Sequence, residues 1–361
     1  MQKKIGIPRA LSYYCNYPFY KGFFDELEIE TVVSDKTTSK LINDGCQKVV
    51  SDTCLPVKVF VGHVINLLDK GCYTILVPSL SSTDFKINNC SKIRGLPEII
   101  RNIINRDFKM VEPVLDKTEG IGLNDFCISI AKDFGITDKK AVKKAMQKGF
   151  EYYNNFRTMT KAGVDYKTAL ECAINGKNAT PHNDKAYPVS VAIMAHSYNL
   201  YDERISLNLI KKLQAMDVKV YTALNTDETE AENSIYKLGE IKYWANETEL
   251  TGTAAYYMLS HKVDGIIALS AFGCGPDSLM VNEIEYHARE HNMPIIHLTT
   301  DEHTGEAGFI TRLEAFVDML VRRKRKAFEK SNKFELQNEL NLQRKKYTKT
   351  DNIQKEKEKI R

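Results

Sequence analysis

Short apolar runs alternate with longer segments of helical spacing over the first third of the chain. The runs end in turn residues, as buried strands do, and the segments between them repeat apolar residues every three or four positions. The predicted strands are residues 4–10, 29–34, 46–52, 73–80 and 108–115, and the predicted helices lie between them. Strands separated by helices predict parallel pairing through right-handed crossovers.

A second alternating unit follows a stretch that has little β signal. Residues 124–176 are predicted as helices, and residues 177–188, which include two prolines, as a linker. The strands predicted next are residues 189–197, 218–224, 265–272 and 294–300, with helices at 203–216 and 249–262. Thr311 and Glu314 have the T-x-x-E spacing of a capping box, which predicts that the last helix begins there.

The pattern predicts an α/β fold with two doubly wound parallel-sheet domains, of the flavodoxin or Rossmann type, joined by a helical segment. We expect an N-terminal α/β domain over residues 1–123 and a helical connector and linker over 124–186. A C-terminal α/β domain is expected over 187–326, followed by a basic, charged tail at 327–361 that is helical or disordered.

The composition is that of a globular protein. The chain has 361 residues, of which 43% are hydrophobic and 27% charged, so it is not expected to be disordered as a whole. No run approaches the roughly 18 apolar residues that cross a bilayer. The first residues, MQKKIGIPRA, do not resemble a secretory signal. We therefore expect a cytoplasmic protein with reduced thiols and no membrane partner.

The net charge of +4 comes from the end of the chain. From Arg322 onward there are 15 Lys and Arg against 6 Asp and Glu, whereas the rest has 36 against 41. Such a tail is either a solvated, fraying helix or an arm that docks an acidic partner. The aromatic platforms and base-reading motifs of nucleic-acid binding are absent, so nucleic acid is not an expected partner.

Three cysteines follow predicted strands and precede predicted helices. Cys54 and Cys274 each lie two residues before a proline suited to a first helical turn, and Cys90 lies in the loop after the strand at 73–80. A helix N-terminus stabilises a thiolate, which is the form that ligates an iron–sulfur cluster. The alternative is that each is a small buried hydrophobic residue. There is no C-x-x-C pair, so a zinc ribbon or ferredoxin is not indicated.

The other five cysteines have no shared loop position and are predicted to be core thiols. They are Cys15, Cys46, Cys72, Cys127 and Cys172. The aromatic residues Tyr14, Tyr17, Tyr20 and Phe24 recur at helical spacing and are likewise predicted as core.

Several polar residues follow strands, where ligands gather in open α/β sheets. Arg9 and Tyr17 follow the first strand, and they either face the cleft or pack. A group of polar residues lies at the end of the strand at 189–197 and just after it: His196, Tyr198, Asn199, Tyr201 and Asp202. These residues either orient a ligand or, in the case of Asp202, cap a helix. The acidic loop after the strand at 294–300 contains Asp301, Glu302, His303 and Glu306. We expect this loop to make hydrogen bonds and to close the two domains rather than to bind a second metal. His63, in mid-helix, is predicted as a packing histidine.

Several strings in both halves of the chain resemble one known family. They are IGIPRAL (5–11), Tyr17-Pro18-Phe19, SDTCLPVKVFVGH (51–63), SYNLYDERI (197–205), FGCGPDSL (272–279) and DEHTGEAGFITRLEAF (301–316). The chain resembles the acyl-CoA dehydratase activase-related proteins, or CoA protein activases, which are relatives of 2-hydroxyacyl-CoA dehydratase subunits.

The resemblance implies a [4Fe-4S] cluster between the two α/β domains. Its ligands would be Cys54, Cys90 and Cys274, with Gly273 and Gly275 beside it, and one iron would keep an exchangeable position. In similar dehydratases a partner ATPase injects one low-potential electron, and a ketyl radical then eliminates water. The catalytic candidates are His196, Tyr198, Asp202 and Glu302.

This chain has neither G-x-x-x-x-G-K-[ST] nor G-x-G-x-x-G, so ATP hydrolysis is assigned to a partner. That partner is an ATP-dependent activase (an ASKHA-type ATPase) or a dehydratase-like subunit, and an acyl-CoA or another small molecule would be the substrate. The chain would then be a lyase or reductase component. Two alternatives stay open. One is a double-cubane-type cluster reductase of small molecules, which needs more ligands than three; the other is a non-catalytic binding or assembly component.

Overall fold

The structure is a computed structural model that describes residues 3–330 except 86, 182–184, 241–243, 245 and 247. Residues 1–310 form one compact unit and residues 311–361 another. The strands are β1 (Lys4–Ile7), β2 (Glu30–Val33), β3 (Thr74–Leu76), β4 (Ser79–Asp84), β5 (Ile87–Asn88), β6 (Lys109–Val111), β7 (Val114–Asp116), β8 (Val189–Met194), β9 (Val218–Thr222), β10 (Gly265–Ala271) and β11 (Ile295–Thr300).

The helices fill the crossovers between these strands. They are α1 (Tyr13–Glu26), α2 (Ser39–Cys46), α3 (Leu55–Asp69), α4 (Ser91–Arg94), α5 (Leu96–Ile103), α6 (Leu123–Asp133), α7 (Lys139–Lys161), α8 (Tyr166–Ile174), α9 (Ser197–Leu200), α10 (Leu209–Ala215), α11 (Glu228–Lys237), α12 (Thr253–Ser260), α13 (Gly275–Glu290) and α14 (306–330). Short 3-10 helices lie at Lys117–Glu119 and Ala223–Asn225, and a π-helical turn at Thr248–Gly252 leads into α12.

Two parallel four-stranded sheets have the same strand order, which confirms the predicted α/β class. The N-terminal sheet runs β2-β1-β3-β6 and the C-terminal sheet β9-β8-β10-β11, so in each the first strand of the unit lies second. All pairs within both sheets are parallel. The chain reverses direction across each sheet between its first and third strands, which is where open α/β sheets place their sites.

The aromatic stripe of α1 is buried, as predicted. Tyr14, Tyr17, Tyr20 and Phe24 belong to one hydrophobic core together with residues of α6, α7 and α8. The helices α1 and α7 approach closely because glycines lie at the contact: a Cβ on Gly22 would come within 2.6 Å of the Lys148 carbonyl oxygen. The central helices therefore cover one face of the N-terminal sheet, and α3 and α5 belong to a second core.

Three predictions about elements are wrong. Residues 46–52 form the end of α2 and the turns after it rather than a strand, since β2 and β3 occupy both positions next to β1 and the side chain of Val50 is exposed. The helix predicted to begin at residue 203 begins at Leu209. The last helix begins at residue 306, so Thr311 lies inside it and is no cap.

The structure adds a small sheet that the sequence did not predict, in the order β5-β4-β7. It forms because the apolar runs at 73–80 and 108–115 each divide into two strands. Among the described residues, no helix is long and apolar enough to cross a membrane. The tail from Ser331 onward lies outside the described residues.

Candidate functional site

Cys54, Cys90 and Cys274 each immediately precede the first residue of a helix. They are the N-cap residues of α3, α4 and α13, and all three have extended backbone conformations. Prolines in the first turns of α3 and α13 favour helix initiation at these points. The structure thus places Cys54 and Cys274 as the sequence predicted. Cys90 differs in detail, because it starts the short α4 and not the helix that contains Pro97.

The three cysteine loops meet although they come from both sheets. Gly273 has φ +74°, a conformation that favours glycine, and a Cβ there would lie 3.8 Å from the carbonyl oxygen of Asp52. Lys92, two residues after Cys90, donates a hydrogen bond of 3.1 Å to that same oxygen. Cys90 and Cys274 also line one narrow cavity. The loops that precede α3, α4 and α13 are therefore neighbours.

The thiols of this group are half-buried, and burial shifts the pKa of Cys54 and of Cys274. Burial raises the pKa of Cys54, although Lys92 acts to lower it. Burial and then the charge of Asp277 raise the pKa of Cys274 well above its usual range. In these two free thiols, burial acts against the thiolate form that a helix N-terminus stabilises. A bound cation would reverse this balance by deprotonating the thiols.

His196 lies between two carboxylates beside this group. Its Nε2 is 2.7 Å from Oδ1 of Asp277, and its Nδ1 is 3.3 Å from Oε2 of Glu249. Burial lowers the pKa of His196, but the two carboxylates raise it further, to about 10. The Asp277 contact is an ion pair by distance, since neither oxygen of Asp277 accepts a well-directed hydrogen bond among the described residues. His196 is therefore an imidazolium ion at neutral pH.

Glu249 and Asp277 were not among the candidates that the sequence pattern indicated. Glu249 accepts hydrogen bonds from the Ser197 backbone N–H, at 3.0 Å, and from the Ser197 hydroxyl. It lies on the π-helical turn, a feature often found at functional sites, but no motif in the sequence marked that turn. Asp277 was within the string FGCGPDSL, where its place in the first turn of a helix that follows a cysteine was an available signal.

Tyr198 lies near all three cysteines, whose charges act on its hydroxyl. Its ring stacks on His196 with 5.0 Å between centroids. Burial raises the pKa of its hydroxyl well above 10, as do Asp277 and then the charges of Cys274, Cys54 and Cys90. The phenol therefore keeps its proton next to the thiols. The neighbouring Asn199 is fully buried, and its amide has no hydrogen-bond partner among the described residues.

Two family models match the chain and meet at residue 225. The CoA enzyme activase uncharacterised domain matches residues 4–225, which is more than half of the chain. The chain belongs to this family. The model of the 2-hydroxyglutaryl-CoA dehydratase D-component matches residues 225–320. These matches confirm the resemblance seen in the sequence strings. A search of curated proteins found no match.

The junction between the two matches divides the cysteine group. The region of the CoA enzyme activase domain contains Cys54, Cys90 and His196, and the region of the dehydratase D-component contains Cys274 and Asp277. The junction also separates β8 and β9 from β10 and β11, which pair in one sheet. The site therefore needs both matched regions.

In this CoA enzyme activase family member, Asp202 lies in a different network from the cysteines. Its Oδ2 accepts hydrogen bonds from the Tyr14 hydroxyl, at 3.0 Å, and from the Thr37 hydroxyl. Its Oδ1 accepts from the backbone N–H groups of Arg204 and Ile205. Asp202 thus accepts hydrogen bonds within the turn after α9 and links this turn to α1 and to the segment after β2. It does not cap the helix predicted at residue 203, because that helix begins at Leu209 with Asn208 as its N-cap.

His63 extends this network and is a satisfied packing histidine, as predicted. Because Thr37 donates to Asp202, the Thr37 oxygen accepts from Nε2 of His63 at 3.0 Å. Nδ1 then accepts from the Ser34 hydroxyl at 2.9 Å. Both nitrogens of the neutral ring are paired, and burial followed by the charge of Arg9 lowers the pKa of His63 to about 3.

Acidification is expected to destabilise the protein through His63. The unfolded imidazole titrates near pH 6.5 and the folded one at about 3, so between these values only the unfolded chain binds the proton. The free energy of unfolding should therefore fall as the pH falls from 6.5, by up to about 1.4 kcal/mol per pH unit. Urea unfolding of the wild type and of His63→Gln at pH 7.0, 6.0 and 5.0 measures this; equal slopes for both proteins would contradict it.

Arg9 and Tyr17 have packing roles in this structure. The Arg9 Nε donates to the Ser34 carbonyl oxygen at 3.2 Å, and its guanidinium lies over the Tyr13 ring. Tyr17 is in the core around α1, and Tyr201 stacks on Tyr166 with 4.1 Å between centroids. Of the predicted polar group, the structure thus brings His196 and Tyr198 to the cysteines, and it gives Tyr201 and Asp202 other partners.

The acidic loop after β11 contacts several different elements. Glu302 pairs with Lys58, one turn beyond Cys54 on α3, at 2.5 Å, and Glu306 pairs with Lys212 at 2.5 Å. Asp301 accepts hydrogen bonds from Thr304 and from the backbone N–H of His303. The carboxylates are thus engaged separately. The Lys58–Glu302 pair joins the helix that starts at Cys54 to the C-terminal sheet.

Replacing Lys58 with Met should lower the free energy of unfolding by about 2 kcal/mol, because Glu302 would keep its charge in a largely buried place without a cation. The side chains of Lys58 and Glu302 are 5% and 19% exposed. Lys211→Met is the matched control, since its pair with Glu203 has the same 2.5 Å separation at the surface. It should cost less than about 1 kcal/mol. Equal losses in urea unfolding would contradict the prediction.

The five cysteines predicted as core thiols are not at the helix starts that carry Cys54, Cys90 and Cys274. Cys72 and Cys127 are buried, and Cys15, Cys46 and Cys172 are half-buried. Burial raises the pKa of Cys15 and of Cys127 to about 12 each. All eight thiols are free, as expected for a chain without a disulfide framework.

Proposed function

We propose that the chain binds a [4Fe-4S] cluster through Cys54, Cys90 and Cys274. We further propose that it acts in the ATP-coupled, low-potential electron transfer or radical dehydration or reduction of the 2-hydroxyacyl-CoA dehydratase superfamily. The observation that supports this best is that three half-buried cysteines, each at a helix start, lie on neighbouring loops from both sheets.

The donor set suits a cluster better than a single ion. Cysteine thiolates are the usual ligands of iron–sulfur clusters, and each one binds a different iron. Among the described residues, the three sulfurs are not close enough together to share one ion. The helix starts and Lys92 would stabilise the negative charge of a bound cluster. The residues present therefore fit the cluster that the resemblance implies.

When bound, the cluster would supply one-electron chemistry, with one iron that no cysteine of the three ligates. The residues around it would control charge and protons. Tyr198 would hold a proton on its hydroxyl next to the sulfurs, and His196 would hold protons on both ring nitrogens against Asp277 and Glu249. The Lys58–Glu302 pair would hold the two sheets around the site.

The partner would be an ATP-dependent activase of the ASKHA type or a dehydratase-like subunit, in the cytoplasm. The chain itself has no phosphate-binding loop motif, which supports assigning ATP hydrolysis to the partner. The substrate would be an acyl-CoA or another small molecule.

Anaerobic purification and reconstitution with iron and sulfide test this proposal. The expected result is a brown protein with about four iron and four sulfide per chain, and an electron paramagnetic resonance signal on reduction. A content near eight iron would instead favour the double-cubane reductase. A reconstituted chain without iron would overturn the proposal and favour a binding or assembly component.

A further inference from the structure

A second group of metal-ligating side chains lies near the other end of α13. Glu283 and His287 are four residues apart on this helix and therefore share a face. Glu240 approaches them from the turn after α11. One ligand atom from each of the three residues lies within 4.8 Å of the others. A rise of 1.5 Å per residue places His287 about 20 Å along the helix from Cys274, so the group is separate from the cysteine site.

The backbone holds Glu240 in place. Gly239 has φ +81°, and the Glu240 N–H donates to the Ile235 carbonyl oxygen at 3.3 Å. This is the glycine termination of a helix, which fixes the direction in which the chain leaves α11. Glu240 is therefore presented by a defined turn, and Glu283 and His287 by a regular helix.

His287 is buried, and both of its ring nitrogens face carboxylates. Nε2 is 2.8 Å from Oε1 of Glu240, and Nδ1 is 3.4 Å from Oε2 of Glu290. A neutral imidazole has only one N–H, so one nitrogen would present a lone pair to a carboxylate unless it bound a proton or a cation. With Glu283, carboxylates from two elements lie around this single imidazole.

We propose that Glu240, Glu283 and His287 bind a divalent transition-metal cation of the Zn²⁺ class. An imidazole nitrogen with two carboxylate oxygens suits Zn²⁺ and neighbouring divalent ions. Glu290 would act as a positioning residue, because a carboxylate on the second ring nitrogen is the usual partner of a metal-bound histidine. The ion would fasten the end of α11 to α13, whose start carries Cys274. Nothing in this proposal depends on the cluster.

Equilibrium dialysis of the cluster-loaded full chain against Zn²⁺ alone, with zinc and iron both measured, tests the proposal. We expect one zinc per chain in addition to the iron. Glu240→Gln and Glu283→Gln keep the shape of the side chain, and each should weaken zinc binding by at least tenfold. Glu290→Gln should weaken it by about 10- to 100-fold, the range found for partners of metal-bound histidines. Glu285→Gln, on the same helix, should leave it unchanged.

Binding of Co²⁺ separates this site from the thiols. Cobalt bound by His287 and carboxylates has no thiolate-to-metal charge-transfer absorption. Cobalt bound by Cys54, Cys90 or Cys274 would show this absorption, so metal that binds to cysteines left without a cluster is recognised separately. Zinc should also raise the unfolding temperature of the wild type but not of Glu283→Gln. Equal zinc affinity in the wild type, Glu240→Gln and Glu283→Gln would show an adventitious ion only, and no bound zinc would show that the site does not bind it. Either result would overturn the proposal.

Discussion

Cys274→Ala is expected to lose most of its iron, so that the chain retains far less than the wild type after anaerobic reconstitution. An alanine removes one of three thiolates, and two thiolates on neighbouring loops cannot hold a cubane that needs a ligand from each sheet. The fold should persist, because Cys274 is only half-buried and lies at a helix start. Iron and sulfide analysis, with circular dichroism for the fold, measures the effect.

Cys172→Ala is the matched control, since Cys172 is also half-buried but lies on α8. It should retain the iron content of the wild type. Cys54→Ala should behave like Cys274→Ala. If Cys274→Ala kept full iron while folded, the assignment of the ligands would be wrong.

Gly45→Ala is expected to destabilise the protein by about 3 kcal/mol or more, because it overpacks a contact between two helix backbones. A Cβ on Gly45 would lie 1.9 Å from the carbonyl oxygen of Lys58, so α2 and α3 would have to separate. The same contact is close from the other side, where a Cβ on Gly62 would lie 2.1 Å from the Leu41 carbonyl oxygen. Thermal and urea unfolding followed by circular dichroism would show the loss.

Gly308→Ala is the control for this substitution. It lies in the helix of residues 306–330, and a Cβ there meets no atom within 4 Å. Alanine is favoured over glycine in a helix by roughly 0.5–1 kcal/mol, so Gly308→Ala should be neutral or stabilising. Equal unfolding temperatures for Gly45→Ala and the wild type would contradict the predicted overpacking.

The fold class could be predicted because its signals are local. Apolar runs such as 4–10 and 265–272 lie in β1 and β10, and the spacing of the aromatic residues on α1 corresponds to a buried face. The positions of Cys54 and Cys274 before helix-starting prolines were local signals too. Residues 46–52 were mispredicted because two valines within a polar run suit a turn as well as a strand, and only competition for places beside β1 excluded the strand.

Much of the candidate site depended on contacts that no spacing encodes. Glu249 and Asp277 flank His196 from a π-helical turn and from α13. They lie 53 and 81 positions after His196 in the chain, so only folding brings them to it. Lys58 was read as part of an apolar helix, and its pairing with Glu302 spans 244 positions. The raised pKa values of Cys54 and Cys274 also required tertiary structure, because burial is their main cause.

The sequence by itself determined the α/β alternation, the core face of α1 and the placing of Cys54 and Cys274 at helix starts, because periodicity and proline act over a few residues. The tertiary structure alone decided that the loops of Cys54, Cys90 and Cys274 are neighbours, and that His196 is charged while His63 is neutral. The physical reason is that proximity and desolvation are properties of the packed chain. The imidazole of His196 is charged because it is buried between carboxylates, and that of His63 is neutral because it is buried between hydroxyl groups.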